Sequence, residues 1–187
     1  MRRYYITDSR AAGGIEEVLR FLERAIRDGV AMIQVREKHL PARQLLELTR
    51  RAVALSAGTA TRILVNTRVD VALAAGAGGV HLPGASISPA RWREILPMGF
   101  LIGVSCHTIH ELREAEHDGA DFAVYGPVFP SPGKGAPIGI DGLTQAIRGT
   151  SLPVYALGGI DKTNAATCLR AGAAGVAAIS WFQRGGT

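Results

Sequence analysis

Val154-Tyr155-Ala156-Leu157-Gly158-Gly159-Ile160, followed one helix later by Gly175-Val176-Ala177-Ala178-Ile179-Ser180, is the stretch that decides the architecture. Each half is a short apolar run that stops at residues small enough to leave backbone N–H groups bare. A strand that ends this way and leads into a helix offers amides and the positive end of a dipole to an anion. Two such units in succession predict a phosphate held by Gly158, Gly159, Ile179 and Ser180.

The same alternation of Val/Ile-rich runs and amphipathic stretches extends back to the start of the chain, the pattern of strand–helix units closing on a parallel sheet. Strands are expected at Tyr4 to Thr7, Ala31 to Arg36, Ile63 to Asn66, Gly79 to His81, Leu101 to Ser105, Phe122 to Gly126, Val154 to Leu157 and Gly175 to Ala178. Helices fit between them at Ile15 to Arg27, Ala42 to Leu55, Arg68 to Ala75, Pro89 to Leu96, Ile109 to His117, Leu143 to Ile147 and Lys162 to Arg170. Ser88-Pro89 and Asp161 suit helix starts, and Gly29, Gly76, Gly119 and Gly172 suit helix ends. Eight strands in this order give an α/β fold, a (β/α)8 TIM barrel, as a single domain over residues 1–187. Only seven residues follow Ser180, so the eighth helix is expected to be missing or vestigial. That leaves Trp181 and Phe182 exposed, and a homo-oligomer is expected to cover them.

Composition narrows the function classes. With 47% hydrophobic residues the chain can bury a full core, and no run of eighteen strongly apolar residues interrupts it. No membrane association is expected, and a soluble cytoplasmic location is. The formal charge of +5 comes from Arg and Lys scattered among acids, as in Arg20-Phe21-Leu22-Glu23-Arg24, without a basic stripe or stacking aromatics. No nucleic acid is expected, and an anionic small molecule is. Cys106 and Cys168 are too few and too distant for a metal knuckle, and read as small buried side chains.

Barrel enzymes place their chemistry at the C-terminal ends of the strands. After the second strand, Gln34, Arg36 and Lys38 share one face at period two, a ligand-binding triplet unless a salt-bridged rim with Glu37 explains it. Asn66 ends the third strand and suits a hydrogen bond to a ligand heteroatom, while Asp70 in the next helix suits its dipole. His81 at the fourth strand reads first as a structural, hydrogen-bonded residue. His107 follows the fifth strand directly, with Ser105 or Thr108 the natural helix cap beside it, which leaves its imidazole free to move a proton near neutral pH. The sixth strand runs into Pro127-Val128-Phe129-Pro130-Ser131-Pro132-Gly133-Lys134-Gly135, a loop whose one cation, Lys134, can meet an anion on closure.

Taken together these stretches resemble the thiamine phosphate synthases and their relatives, the thiazole tautomerases. Gln34-Val-Arg-Glu-Lys38, Val65-Asn66 with Arg68-Val-Asp-Val-Ala72, Gly79-Val-His-Leu82, Gly103-Val-Ser105, Gly126-Pro-Val-Phe-Pro130, Leu157-Gly-Gly-Ile160 and Ala178-Ile-Ser180 stand in the family's order, from Tyr5 to Ser180. The resemblance implies, for the synthases, condensation of a pyrimidine diphosphate with a thiazole phosphate, with Mg²⁺ held by two carboxylates. This chain has Thr67 and Ser86 at those two places, and Ser131 and Gly133 where the synthase loop carries Thr around its Lys. Neither Thr67 nor Ser86 supplies the anionic oxygen a hard dication selects. Leu82-Pro83-Gly84-Ala85-Ser86-Ile87-Ser88-Pro89 and His107 look instead like the tautomerase branch, in which a His at that position moves a proton.

The expectation is therefore a thiazole tautomerase, an isomerase that aromatises a carboxylated dihydrothiazole phosphate. His107 would shuttle the proton, Gln34, Arg36, Lys38, Asn66 and Lys134 would bind the substrate, and no metal or cofactor would be needed. The alternatives are a thiamine phosphate synthase, which would need Mg²⁺, and a non-catalytic thiazole or thiamine phosphate sensor. An unrelated phosphate-binding barrel is disfavoured by the Gln34, Arg36 and Lys38 triplet.

Overall fold

The computed structural model describes residues 1–183. Eight parallel strands close into a barrel in sequence order, β1 (Arg2–Ile6), β2 (Met32–Val35), β3 (Arg62–Asn66), β4 (Gly79–Leu82), β5 (Leu101–Cys106), β6 (Phe122–Tyr125), β7 (Val154–Leu157) and β8 (Gly175–Ala178). The ring is sealed where Tyr4 pairs with Ala177 across β1 and β8. Outside it lie α1 (Ser9–Ala12), α2 (Ile15–Arg27), α3 (Ala42–Ser56), α4 (Val69–Ala75), α5 (Pro89–Arg93), α6 (Ile109–His117), α7 (Gly139–Arg148), α8 (Ala165–Arg170) and α9 (Ser180–Gln183). The fold expected from the sequence is the fold observed.

The helices follow local rules. In α2, Val18, Leu19, Leu22 and Ala25 are buried at helical spacing, with Glu16 and Glu17 in the first turn and Arg24 and Arg27 in the last, where each charge complements the dipole. α6 opens with a capping box in which Thr108 accepts from Glu111 N and the Glu111 carboxylate accepts from Thr108 N. Ser105, the other cap candidate, is turned elsewhere. α1 was not expected; Asp8 caps it by accepting from Ala11 N, and Gly13 ends it in the left-handed region at φ 92°.

Three helices differ from expectation by more than one residue at an end. α5 stops at Arg93 rather than Leu96, and a groove of about 470 Å³ lies between the β4–α5 loop and α6. α7 starts four residues early, at Gly139 rather than Leu143. α8 starts late, at Ala165, because the Asp161 carboxylate accepts from Thr163 N and Asn164 N and holds a separate turn in front of the helix.

The barrel has two apolar layers. Between strands and helices runs the main core, including Tyr5, Ile33, Val65, Leu82, Val104 and Val176. Inside the ring sits a smaller cluster built around Tyr4, Phe122, Tyr155 and Leu64. Its rings need space, and glycines on neighbouring strands provide it: a Cβ on Gly103 would fall 2.3 Å from Phe122, and one on Gly175 would fall 2.5 Å from Tyr155. Gly103 pairs with Phe122, and Gly175 with Tyr155, in the strand register. Tyr4, Phe122 and Tyr155 meet edge to face with centroids 5.5–6.1 Å apart.

After β8 the described residues hold the single turn α9, and the exposed aromatic pair is a correction. Phe182 is buried against Tyr5, ring centroids 4.9 Å apart, and Trp181 is half-buried over the same core. Gln183 Nε2 pins the turn by donating to Tyr5 Oη at 3.2 Å and to the Asp8 carbonyl at 3.1 Å. The chain covers this face itself, so the reason for expecting an oligomer there falls away. Both cysteines are buried and unpaired, and burial pushes the Cys106 thiol up to about 12. Among the described residues no helix is long and apolar enough to cross a membrane.

Candidate active site

The mouth at the C-terminal end of the barrel gathers residues from all parts of the chain. At the β7 and β8 ends, Gly158 and Gly159 adopt φ of 99° and 62°, and a Cβ on either would strike the loop after β6, at Pro127 or Pro130. That loop is laced to β7 by Val128 N donating to the Leu157 carbonyl and Phe129 N to the Gly158 carbonyl. Among the described residues no acceptor meets the backbone N–H groups of Gly158, Gly159, Ile179 or Ser180. Four amides at two adjacent strand ends are thus available to an anion.

His107 stands exposed after β5. Its backbone N–H donates to the Glu111 carboxylate, and its Nδ1 lies 2.8 Å from the Gly126 carbonyl oxygen on β6. A carbonyl only accepts, so Nδ1 carries the proton, and in the neutral ring Nε2 is left with its lone pair. The arrangement can take up and return one proton at Nε2 while Nδ1 stays anchored.

The triplet after β2 divides. Gln34 is 1% exposed, inside the ring rather than on its rim, and its amide donates to Tyr4 Oη at 3.0 Å. Arg36 is half-buried and Lys38 exposed, neither engaged with a carboxylate among the described residues. The salt-bridged rim with Glu37 is not what forms. Glu37 is buried and accepts from Thr7 Oγ1 at 2.6 Å, from Ser9 N at 2.9 Å and from Ser9 Oγ at 2.6 Å. Arg36 and Lys38 line a rim pocket of about 440 Å³ together with Arg10, His39 and the acids Asp8 and Glu37, of which Glu37 is engaged by Thr7 and Ser9 and Asp8 caps α1.

At the end of β3, Asn66 is half-buried and donates to Thr67 Oγ1 at 2.9 Å. Thr67 has φ 65° and is the one non-glycine residue in the left-handed region among the described residues. Lys134 is exposed on the turn after β6, beside Gly133 at φ 70°. His81 is buried with Nε2 2.8 Å from Ser105 Oγ and Nδ1 3.3 Å from Tyr4 Oη, and burial pushes its pKa down to about 3, with Arg36 adding to the effect. Sequence reasoning missed Tyr4 and Ser105 as polar members of the site. The Gln34 amide needed a buried partner, but nothing local pointed to a tyrosine thirty residues earlier.

The donor set does not fit a magnesium ion. Thr67 and Ser86 are neutral, and the acids nearby are already occupied. Arg68 grips both Asp70 oxygens and holds that carboxyl below the usual carboxylate range. Glu111 serves the α6 cap and Glu37 the β1–α1 loop. Among the described residues no three His, Cys, Asp or Glu side chains converge as a metal group would require.

The chain is similar to known proteins over nearly its whole length. The family model described as thiamine monophosphate synthase matches residues 3–182. A putative thiamine-phosphate synthase of Geobacter sulfurreducens is 49% identical over 180 residues, covering 95% of this chain and 84% of that protein. A putative thiamine-phosphate synthase 2 of Aquifex aeolicus is 39% identical, with 97% of each chain covered. Among solved structures, thiamine phosphate pyrophosphorylase from Pyrococcus furiosus superposes with a TM-score of 0.85 at 35% identity, over 96% of this chain and 85% of that one.

Proposed function

The chain belongs to the thiamine monophosphate synthase family, and from that premise we propose that it is an enzyme of thiamine biosynthesis that binds a thiazole phosphate and moves a proton on it through His107. The free amides of Gly158, Gly159, Ile179 and Ser180 hold the phosphate. Arg36, Lys38 and Lys134 meet the remaining negative charge, and Asn66 offers its amide to a ring heteroatom.

The step is an isomerisation. His107 Nε2 removes the ring C–H proton of a carboxylated dihydrothiazole phosphate, the electron pair moves into the ring as it becomes aromatic, and the exocyclic carbon receives a proton from the imidazolium. Atoms and charge balance without a co-reactant. The Gly126 carbonyl favours the transient cation by accepting from Nδ1–H throughout.

The observation that carries this reading is the pairing of a free imidazole nitrogen at His107 with neutral side chains at Thr67 and Ser86. A second reading, thiamine phosphate synthase, is favoured by the names of the relatives and of the solved structure, all of which denote the condensation. It requires a magnesium-held diphosphate, and among the described residues no three His, Cys, Asp or Glu side chains converge to hold the ion, Asp70 being gripped by Arg68. One experiment separates the two. The protein is given the dihydrothiazole carboxylate phosphate in the presence of a chelator and, separately, pyrimidine diphosphate with thiazole phosphate and Mg²⁺. Turnover in the first mixture, abolished in His107→Ala, supports the tautomerase; thiamine phosphate at an ordinary enzymatic rate in the second supports the synthase.

A further inference from the structure

One polar chain crosses the otherwise apolar barrel interior. Gln34 Nε2 donates to the Tyr4 hydroxyl at 3.0 Å, that hydroxyl lies 3.3 Å from His81 Nδ1, and His81 Nε2 lies 2.8 Å from Ser105 Oγ. The residues come from β2, β1, β4 and β5, so the chain spans half the ring. It also has a direction. An amide nitrogen only donates, so the Tyr4 oxygen accepts from Gln34, and among the described residues His81 Nδ1 is the one group placed to accept the proton of this buried hydroxyl. A neutral imidazole that accepts at Nδ1 carries its proton on Nε2 and donates it to Ser105 Oγ. Ser105 is left with its own proton, and among the described residues nothing in the protein accepts it.

His81 suits this task because it stays neutral. Tyr4 from β1, Ser105 from β5 and Phe122 from β6 surround it, and the Arg36 cation beyond β2 further disfavours a second positive charge. A ring that does not charge can orient a neighbour but not exchange protons with substrate. Arg36, half-buried and without an acidic partner among the described residues, marks the adjoining space as one for negative charge.

We propose that His81 is a positioning residue: through the Gln34, Tyr4 and His81 chain it fixes the Ser105 hydroxyl as a hydrogen-bond donor to an anionic oxygen of the substrate. The identity of that substrate rests on the proposed function, but the direction of the chain does not.

The test therefore has two arms. In the free protein, ¹⁵N NMR of the His81 ring reads the tautomer without any ligand: an Nε2–H form that is constant from pH 5 to 8 is expected, and an Nδ1–H form or an imidazolium overturns the proposal. Tyr4→Phe, which removes the donor to Nδ1, is expected to shift that ring toward a tautomer mixture, and an unchanged spectrum also overturns it. In the second arm, calorimetric dissociation constants for the thiazole carboxylate phosphate are compared among Ser105→Ala, His81→Phe and the double variant. Each single change is expected to weaken binding roughly tenfold, and the double variant no further, because His81 acts only through Ser105. Additive losses overturn the proposal. A protein that shows the expected tautomer but binds no thiazole phosphate refutes the proposed function and leaves the chain's direction standing.

Discussion

His107 Nδ1 sits 2.8 Å from the carbonyl oxygen of Gly126, a hydrogen bond that ties the loop after β5 to the end of β6. The acceptor is itself immobilised. A Cβ on Gly126 would fall 2.0 Å from the Leu157 carbonyl oxygen, so the two backbones touch where β6 and β7 end. The proposed base is thereby aimed by main chain rather than by a carboxylate. A carbonyl only accepts, so this contact fixes the tautomer and points Nε2 away from β6.

Replacing His107 with Gln should expose that role. The Gln amide can still reach the Gly126 carbonyl but cannot accept and return a proton. Turnover should fall by about 10²–10⁴-fold, while the dissociation constant for thiazole phosphate changes little, since the amides proposed to hold the phosphate lie on other loops. Exchange of the ring C–H for deuterium in D₂O is the direct readout, and exchange at the wild-type rate would remove His107 from the mechanism.

His81 predicts a pH dependence of stability with a definite sign. Its folded pKa is depressed by burial from 6.5 to about 3. Above pH 6.5 the ring is neutral in both states and the contribution is complete. As pH falls below that value the unfolded chain takes up a proton that the folded protein refuses, so stability drops by up to about 1.4 kcal/mol per pH unit until the folded pKa is reached. Urea midpoints of wild type and His81→Gln between pH 4.5 and 7.5 isolate this from the carboxylates, which both proteins share. Parallel curves would show that His81 is not the neutral buried ring described.

Thr67 carries a backbone conformation that does not suit its side chain. At φ 65° a β-branched residue pays an energy of about 1–2 kcal/mol, while Asn or Asp occupies the region readily. The turn is held by Thr67 N donating to the His81 carbonyl at 2.8 Å, so the conformation belongs to the fold and not to the residue. Thr67→Asn should therefore raise unfolding stability by about 1 kcal/mol in denaturant titration. A loss of similar size would mean that the hydroxyl's bond from Asn66 outweighs the strain.

The architecture was legible because it is written locally. Val154–Leu157 and Gly175–Ala178 are apolar runs fenced by Pro or Gly, and the strands begin and end at those residues. Ile109–His117 was likewise fixed by its Thr108 cap. The errors fall where distant residues decide. The period-two argument put Gln34, Arg36 and Lys38 on one face, yet β2 ends at Val35, and only Gln34 lies within the ring, where Tyr4 was unforeseeable from spacing. Phe182 looked exposed because the Tyr5 ring that covers it stands at the other end of the sequence. The start of α7 was hidden by Pro137, Gly139 and Gly142, residues that disfavour a helix by propensity and are overridden where Ile138 N and Gly139 N bond to the Pro127 and Val128 carbonyls.

Glu37 is where that tertiary logic is easiest to break. Its two oxygens accept from the Thr7 hydroxyl and from the amide and hydroxyl of Ser9, and Thr7 Oγ1 in turn accepts from Arg36 N at 2.9 Å. In Glu37→Gln the new NH₂ faces the Thr7 or the Ser9 hydroxyl whichever way the amide turns; that hydroxyl can rotate to accept, but its own proton then loses the carboxylate, at a cost of about 1–3 kcal/mol. The loop from Thr7 to Ser9 would shift, and with it Arg36, the Lys38 rim and, through the Asp8 carbonyl, the Gln183 anchor of α9. Because these groups are the ones proposed to meet substrate charge rather than the reacting carbon, KM should rise more than kcat falls, and the melting temperature should drop with it. Glu37→Asp keeps the charge and every lone pair on a shorter stem, and should recover part of both losses. If Glu37→Gln instead melts and binds as wild type does, the carboxylate is not holding the loop, and the freedom of Arg36 and Lys38 to meet an anion must come from somewhere else in the rim.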